Sequence, residues 1–96
     1  MKSLIERLSN PRNRLVRCFD SEGKAADRYT VVFLKNKERW TSDGWLYGCL
    51  AMNGWPFHPQ GFCQHSTAVL GRHLGKKIPF TSLPLDCQKA VFMDLN

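Results

Sequence analysis

The run RYTVVFLK, Arg28 to Lys35, constrains the fold more than any other stretch. In an extended chain, successive side chains point to opposite faces. Tyr29, Val31 and Phe33 then fall on one face, and Thr30, Val32 and Leu34 on the other. Both faces are apolar in the middle, and the β-branched and aromatic side chains suit a strand. Such a strand needs cover on both sides, so it belongs in the centre of a sheet. At 96 residues the chain supplies that cover as one domain, 1–96, with one core and little to spare.

The neighbouring segments read as the partners of that strand. RNRLVRCFD precedes it, and SEGKAAD with Gly23 supplies a longer hairpin loop between the two. NKERWTSDG reads as a polar connection that ends in the turn signal Asp43-Gly44. WLYGCLAM is a third strand, with Leu46, Leu50 and Met52 on one face and Trp45, Tyr47 and Cys49 on the other. Gly48 inside it marks a bulge or a close backbone approach. Leu4, Ile5 and Leu8 sit at helical spacing before Asn10-Pro11, which predicts a short helix over 3–9. KKIPF is a short extended piece.

TSLPLDCQKAVFMDL predicts the C-terminal helix. Ser82 is its expected cap, Pro84 lies in the first turn, and Asp86 is near the positive end. Leu83, Cys87, Val91 and Leu95 form one stripe. Phe92 lies well around the helix from Leu83, and the wide apolar surface that results permits a homodimer. The expected class is α+β: a small antiparallel sheet of three or four strands, a C-terminal helix on one face and a short N-terminal helix.

NGWPFHPQGFCQHS, Asn53 to Ser66, is the segment with the most chemistry. Pro56 and Pro59 fix φ and restrain the residues before them, so the loop should be well ordered. Trp55, Phe57 and Phe62 are expected to anchor it on the sheet, leaving His58, Gln60, Gln64 and His65 to project. The net charge is +6, from 14 Lys plus Arg against 8 Asp plus Glu, which favours an acidic partner: a host protein, a nucleic acid or a nucleotide. Arg72, Lys76 and Lys77 follow the loop closely and are expected beside it. The candidate binding set is therefore Trp55, Phe57, His58, Gln60, Gln64, His65, Arg72, Lys76 and Lys77.

Other chemistries are weaker matches. His58, Cys63, His65 and His73 are zinc-ligand types, but their spacing lacks the close pairs of structural zinc sites. Cys63 and His65 would share a side of an extended segment, yet no acidic residue lies between Asp43 and Asp86 to orient the pair. GRHLGKK lacks one residue and the hydroxyl of a phosphate-binding loop. Arg12, Arg14 and Arg17 form one basic group and Lys35, Lys37 and Arg39 another, and Trp40, Trp45, Trp55 and Phe57 could stack on bases. The expectation is a binding protein, with no enzyme activity, cofactor or metal assigned.

MKSLIERLSN has no apolar core of a signal peptide, and no run approaches a membrane span. The expected location is the cytoplasm, where Cys18, Cys49, Cys63 and Cys87 stay reduced.

CFDSEGKAADRYTVVF, PFHPQGFCQH and HLGKKIPFTSLPLDCQKAV, in that order, resemble a family of small phage- and prophage-encoded proteins. The resemblance spans roughly Arg14 to Leu95, and many relatives have a longer insert between the His65 and Leu74 regions. It implies a context rather than a chemistry: an accessory protein acting inside an infected bacterium, for host takeover or against its defences.

Overall fold

The computed structural model describes residues 3–95. It is an α+β fold built on one five-stranded antiparallel sheet. The elements in chain order are α1 (Leu4–Ser9), β1 (Val16–Asp20), β2 (Tyr29–Thr41), β3 (Gly44–Met52), β4 (Cys63–Val69), β5 (Lys76–Ile78) and α2 (Leu85–Leu95). Single 3-10 turns occupy Arg72–Leu74 and Phe80–Ser82. The strand order is β4-β3-β2-β1-β5, which puts β2 in the middle.

Val31 and Val32 point to opposite faces and are both 0% exposed, as a doubly covered strand requires. On one face Val31, Phe33, Leu50 and Met52 pack with Leu8 of α1 and Cys87, Ala90 and Val91 of α2. On the other, Phe19, Val32 and Cys49 form a smaller cluster with Leu34, Tyr47, Ala68 and Leu74 around it. Leu74 reaches that face because residues 70–75 carry the chain from one sheet edge, β4, to the other, β5. Gly75 ends this crossing at φ +112°, where a Cβ would lie 2.3 Å from the Asp20 carbonyl oxygen. Only glycine fits both demands.

Three differences from the sequence reading concern element ends. First, β2 does not stop near Lys35 but runs on to Thr41, and Ser42 and Asp43 alone turn the chain into Gly44 at φ +123°. The pairs Val32–Cys49 and Lys37–Tyr47 are five residues apart on β2 and two on β3, so β2 bulges. Asn36 of that bulge fills the space over Gly48, where a Cβ would lie 2.2 Å from the Asn36 amide nitrogen. This is the close approach that a glycine inside the strand suggested.

Second, the segment after the aromatic loop is a strand, β4, held in unbroken register from Met52–Cys63 to Leu46–Val69. With β5 this brings the count to five strands rather than three or four. Third, Ser82 does not cap α2. It closes a 3-10 turn, and the Pro84 carbonyl accepts the first helical bond, from Gln88 N–H at 3.0 Å. The Gln88 side-chain amide donates to the Leu83 carbonyl at 2.9 Å. Leu83 is still buried with Cys87 and Val91, so the expected stripe holds, and Phe92 meets Phe80 edge-to-face at 5.7 Å. The short N-terminal helix starts as expected, with Ser3 Oγ accepting from Glu6 N–H.

Candidate functional site

The loop between β3 and β4 is closed by one side chain. Asn53 Oδ1 accepts from Trp55 N–H at 2.9 Å and from Phe62 N–H at 3.2 Å, so it holds the beginning and the end of the loop together. Its own N–H donates to the Phe62 carbonyl at 3.3 Å. Its carbonyl accepts from the Cys87 thiol of α2 at 3.4 Å. Within the loop, Trp55 O accepts from His58 N–H at 3.1 Å, and His58 O accepts from Gly61 N–H at 2.8 Å. Gln60 N–H donates to His58 Nδ1 at 3.0 Å, which leaves the ring proton of a neutral His58 on Nε2. A Cβ on Gly61 would lie 1.7 Å from the Trp55 carbonyl oxygen.

The ordering that the prolines implied is therefore present, but its anchors differ from those expected. Pro56 is buried and Phe62 half-buried. Trp55 is 67% exposed and Phe57 51% exposed. The two successive turns at 55–58 and 58–61 curl the backbone so that Pro56 faces the body and both rings face water. Backbone hydrogen bonds to Asn53, rather than aromatic burial, fix the loop. Trp55, His58 and Gln60 line a shallow cavity of about 300 Å³ on its outer side.

The other candidates are spread over the sheet. His65 pairs with Leu50 and so shares the α2 face, where its Nε2 lies 2.8 Å from both carboxylate oxygens of Asp94. Gln64 pairs with Ala51 and faces the opposite way. Arg72 is in the crossing segment, and Lys76 and Lys77 are in β5. The expected adjacency of this basic group to the loop is not found: β3, β2 and β1 stand between β4 and β5. The distance in sequence is short only because residues 70–75 cross a whole face.

Cys63 and His65 do share one side of a strand, as their spacing suggested. Burial, and then the negative charge of Asp94, push the Cys63 thiol up from its ordinary value. A nucleophilic cysteine needs the opposite influence. The Nε2 atom of His65 is engaged by Asp94 rather than by the thiol. His58, Cys63, His65 and His73 are not gathered, and among the described residues no three His, Cys, Asp or Glu side chains form a group that could hold a metal ion. GRHLGKK is the crossing turn, with Gly75 packed on β1 rather than open to a phosphate.

Two features escaped the sequence reading. Asn53 read as the start of a turn, although an Asn that opens a loop can bond backbone two residues on, which is how it works here. Trp40 and Trp45 read as parts of separate segments, yet they face each other across the hairpin. Their placement around Asp43-Gly44 was the available signal. Comparison with family models, curated proteins and solved structures gives no match. Among the described residues no helix is long and apolar enough to cross a membrane.

Proposed function

We propose that this chain is a non-enzymatic binding domain, a small accessory protein of phage type that engages a host macromolecule or an anionic ligand through the 53–62 loop. One observation supports the reading above others. The loop backbone is hydrogen-bonded shut through Asn53, while Trp55 and Phe57 stand in water. A loop ordered before contact loses little entropy on binding, and exposed aromatic anchors are the side chains that dominate interfaces. The shallow cavity beside Trp55 offers His58 and Gln60 as polar contacts. The raised Cys63 thiol and the Asp94-bound His65 supply no activated nucleophile. The phage context rests on the resemblance of the three motifs.

The test compares the parent with a Trp55→Ala, Phe57→Ala variant whose fold is checked by circular dichroism. Both are used to recover partners from infected-cell lysate, with and without nuclease, and the retained species are identified by mass spectrometry. The expected result is a near-stoichiometric species held by the parent and lost by the variant. If both retain the same species equally, the loop is not the contact.

A further inference from the structure

A second surface lies at the other end of β3. β1 pairs with β2 only over Tyr29–Phe33, and the bond from Leu34 N–H to the Leu15 carbonyl closes that ladder. Beyond it residues 35–40 are all exposed, so the outer half of β2 and its hairpin form an arm with one open edge, flanked on the other side by β4 as far as Leu46. Trp40 and Trp45 pair across this arm edge-to-face, with ring centroids 5.7 Å apart. The Lys37 ammonium sits 4.6 Å from the centroid of the Trp45 ring. Trp40 is 66% exposed and Trp45 39% exposed, and neither belongs to a core cluster. Trp45 thus props Trp40, while the larger part of the Trp40 ring stays open.

Further cations lie across the unpaired edge of β2, on the face that carries α1. Lys35 is separated from Lys37 by the β2 bulge and lies on the opposite face, that of α1 and α2, where it borders a cavity of about 500 Å³ together with Arg7 and Arg14. Asn10 and Asn13 add polar groups to its wall, and Glu6 is the carboxylate in its lining. Glu38 and Asp43 are the carboxylates of the arm, so the positive excess grows toward Arg7 and Arg14. None of Arg7, Arg14, Lys35, Lys37 and Arg39 is in an ion pair among the described residues, where the pairs are Arg28–Asp20 and His65–Asp94.

We propose that the hairpin arm and the Arg7–Arg14–Lys35 cavity bind one single-stranded nucleic acid that passes round the unpaired edge of β2, with phosphates over the cations and a base stacked on Trp40. Open aromatic rings beside unpaired cations are the recurring elements of such sites. A duplex hides its base faces, so a ring on a protruding hairpin gains a stacking partner only from an unpaired base. An acidic peptide would satisfy the cations but offers Trp40 no flat ring. This surface is separate from the 53–62 loop, and the two readings succeed or fail independently.

The experiment is fluorescence anisotropy of a labelled twelve-nucleotide dT oligomer with the full chain, over a series of salt concentrations. The parent binds, with log affinity falling linearly in log salt, and its tryptophan emission is quenched. Trp40→Ala weakens binding by about tenfold, in the range for loss of one base–aromatic stack, and Trp40→Phe recovers part of the loss. Arg14→Gln with Lys35→Gln lowers the salt slope by about 1.4, since each single-strand phosphate contributes about 0.7. Trp55→Ala with Phe57→Ala leaves oligomer binding unchanged. Equal affinity of Trp40→Ala and parent overturns the proposal, as does equal or tighter binding of a blunt duplex of the same length. So does failure of the oligomer to bind at low salt, and if poly-glutamate then binds in a Trp40-dependent way, the surface takes an acidic protein instead.

Discussion

Asn53 concentrates the order of the loop in one carboxamide. Replacing it by Ala leaves the Trp55 and Phe62 N–H groups without their acceptor. Neither N–H is deeply buried, so each lost bond costs about 0.5–1.5 kcal/mol, read as a lower urea midpoint at unchanged slope. Glycine substitutions should rank by what the new methyl meets. At Gly61 it meets the Trp55 backbone, which cannot move without opening the loop. At Gly48 it meets the tip of the Asn36 side chain, which can swing away. Gly61→Ala should therefore lose more stability than Gly48→Ala in the same urea series, and the reverse order would contradict the loop geometry. The thiols give a further residue-scale prediction. Burial pushes Cys18 up to about 12 and Cys87 up to about 11, and it also raises Cys49. Cys63 is exposed, yet its thiol is raised too. A thiol-disulfide reagent at neutral pH should label one cysteine of the native protein slowly, and all four after denaturation. Rapid labelling of Cys63 would reinstate it as a nucleophile.

At the scale of elements, α2 covers the larger cluster through Cys87, Ala90 and Val91. Val91 is fully buried, so Val91→Asp places a charge with no partner in that cluster. The expected loss is about 4 kcal/mol or more, whereas Met93→Asp on the exposed side of the same helix should stay within about 0.5 kcal/mol. Thermal melting of the pair checks whether the helix is oriented this way. The stripe was legible in the sequence because it repeats every four residues, and the inner half of β2 because its apolar side chains alternate on both faces. β4 was not legible for a physical reason. Its residues from Cys63 to Thr67 are exposed on both faces, so the run CQHSTAV carries no hydrophobic alternation. Pairing with β3 alone makes it a strand. The outer half of β2 was missed for the same reason, since residues 35–40 bury nothing and read as a connection. In the 53–62 loop the residue types announced rigidity and binding chemistry. The direction of Trp55 and Phe57 depends instead on how two turns curl around Asn53, and residue types do not encode that. The placement of the basic group on the far edge depends on the strand order, which proximity in sequence cannot supply.

Over the whole molecule, charge is the least balanced quantity. The chain has a net charge of +6, and Arg28–Asp20 is the Lys or Arg ion pair among the described residues. Arg28 hydrogen-bonds the Asp20 carboxyl and holds it below its ordinary value of 3.8. A carboxyl lowered in the folded state contributes stability that is present above its unfolded value and lost as pH falls through the folded one. Acid titration of the parent should therefore show a loss beginning below about pH 4, as the positive charge also grows. Arg28→Ala should make that part of the loss shallower. At neutral pH the unpaired cations repel one another, and this self-repulsion opposes the compact state. Raising salt from about 0.01 M to about 0.15 M shortens the screening length from about 30 Å to about 8 Å. That should weaken the repulsion and raise stability, and a gain of about 0.5 kcal/mol would appear as a rise in Tm of about 2–4 °C. The same salt should release an oligonucleotide from the hairpin arm, because its phosphates regain their counterions. Stability and polyanion binding are thus expected to respond to salt with opposite signs in one protein. Melting curves and anisotropy measured across the same salt series check this directly. A Tm that falls with added salt would mean that attractive surface pairs, rather than uncommitted cations, dominate the electrostatics of the fold.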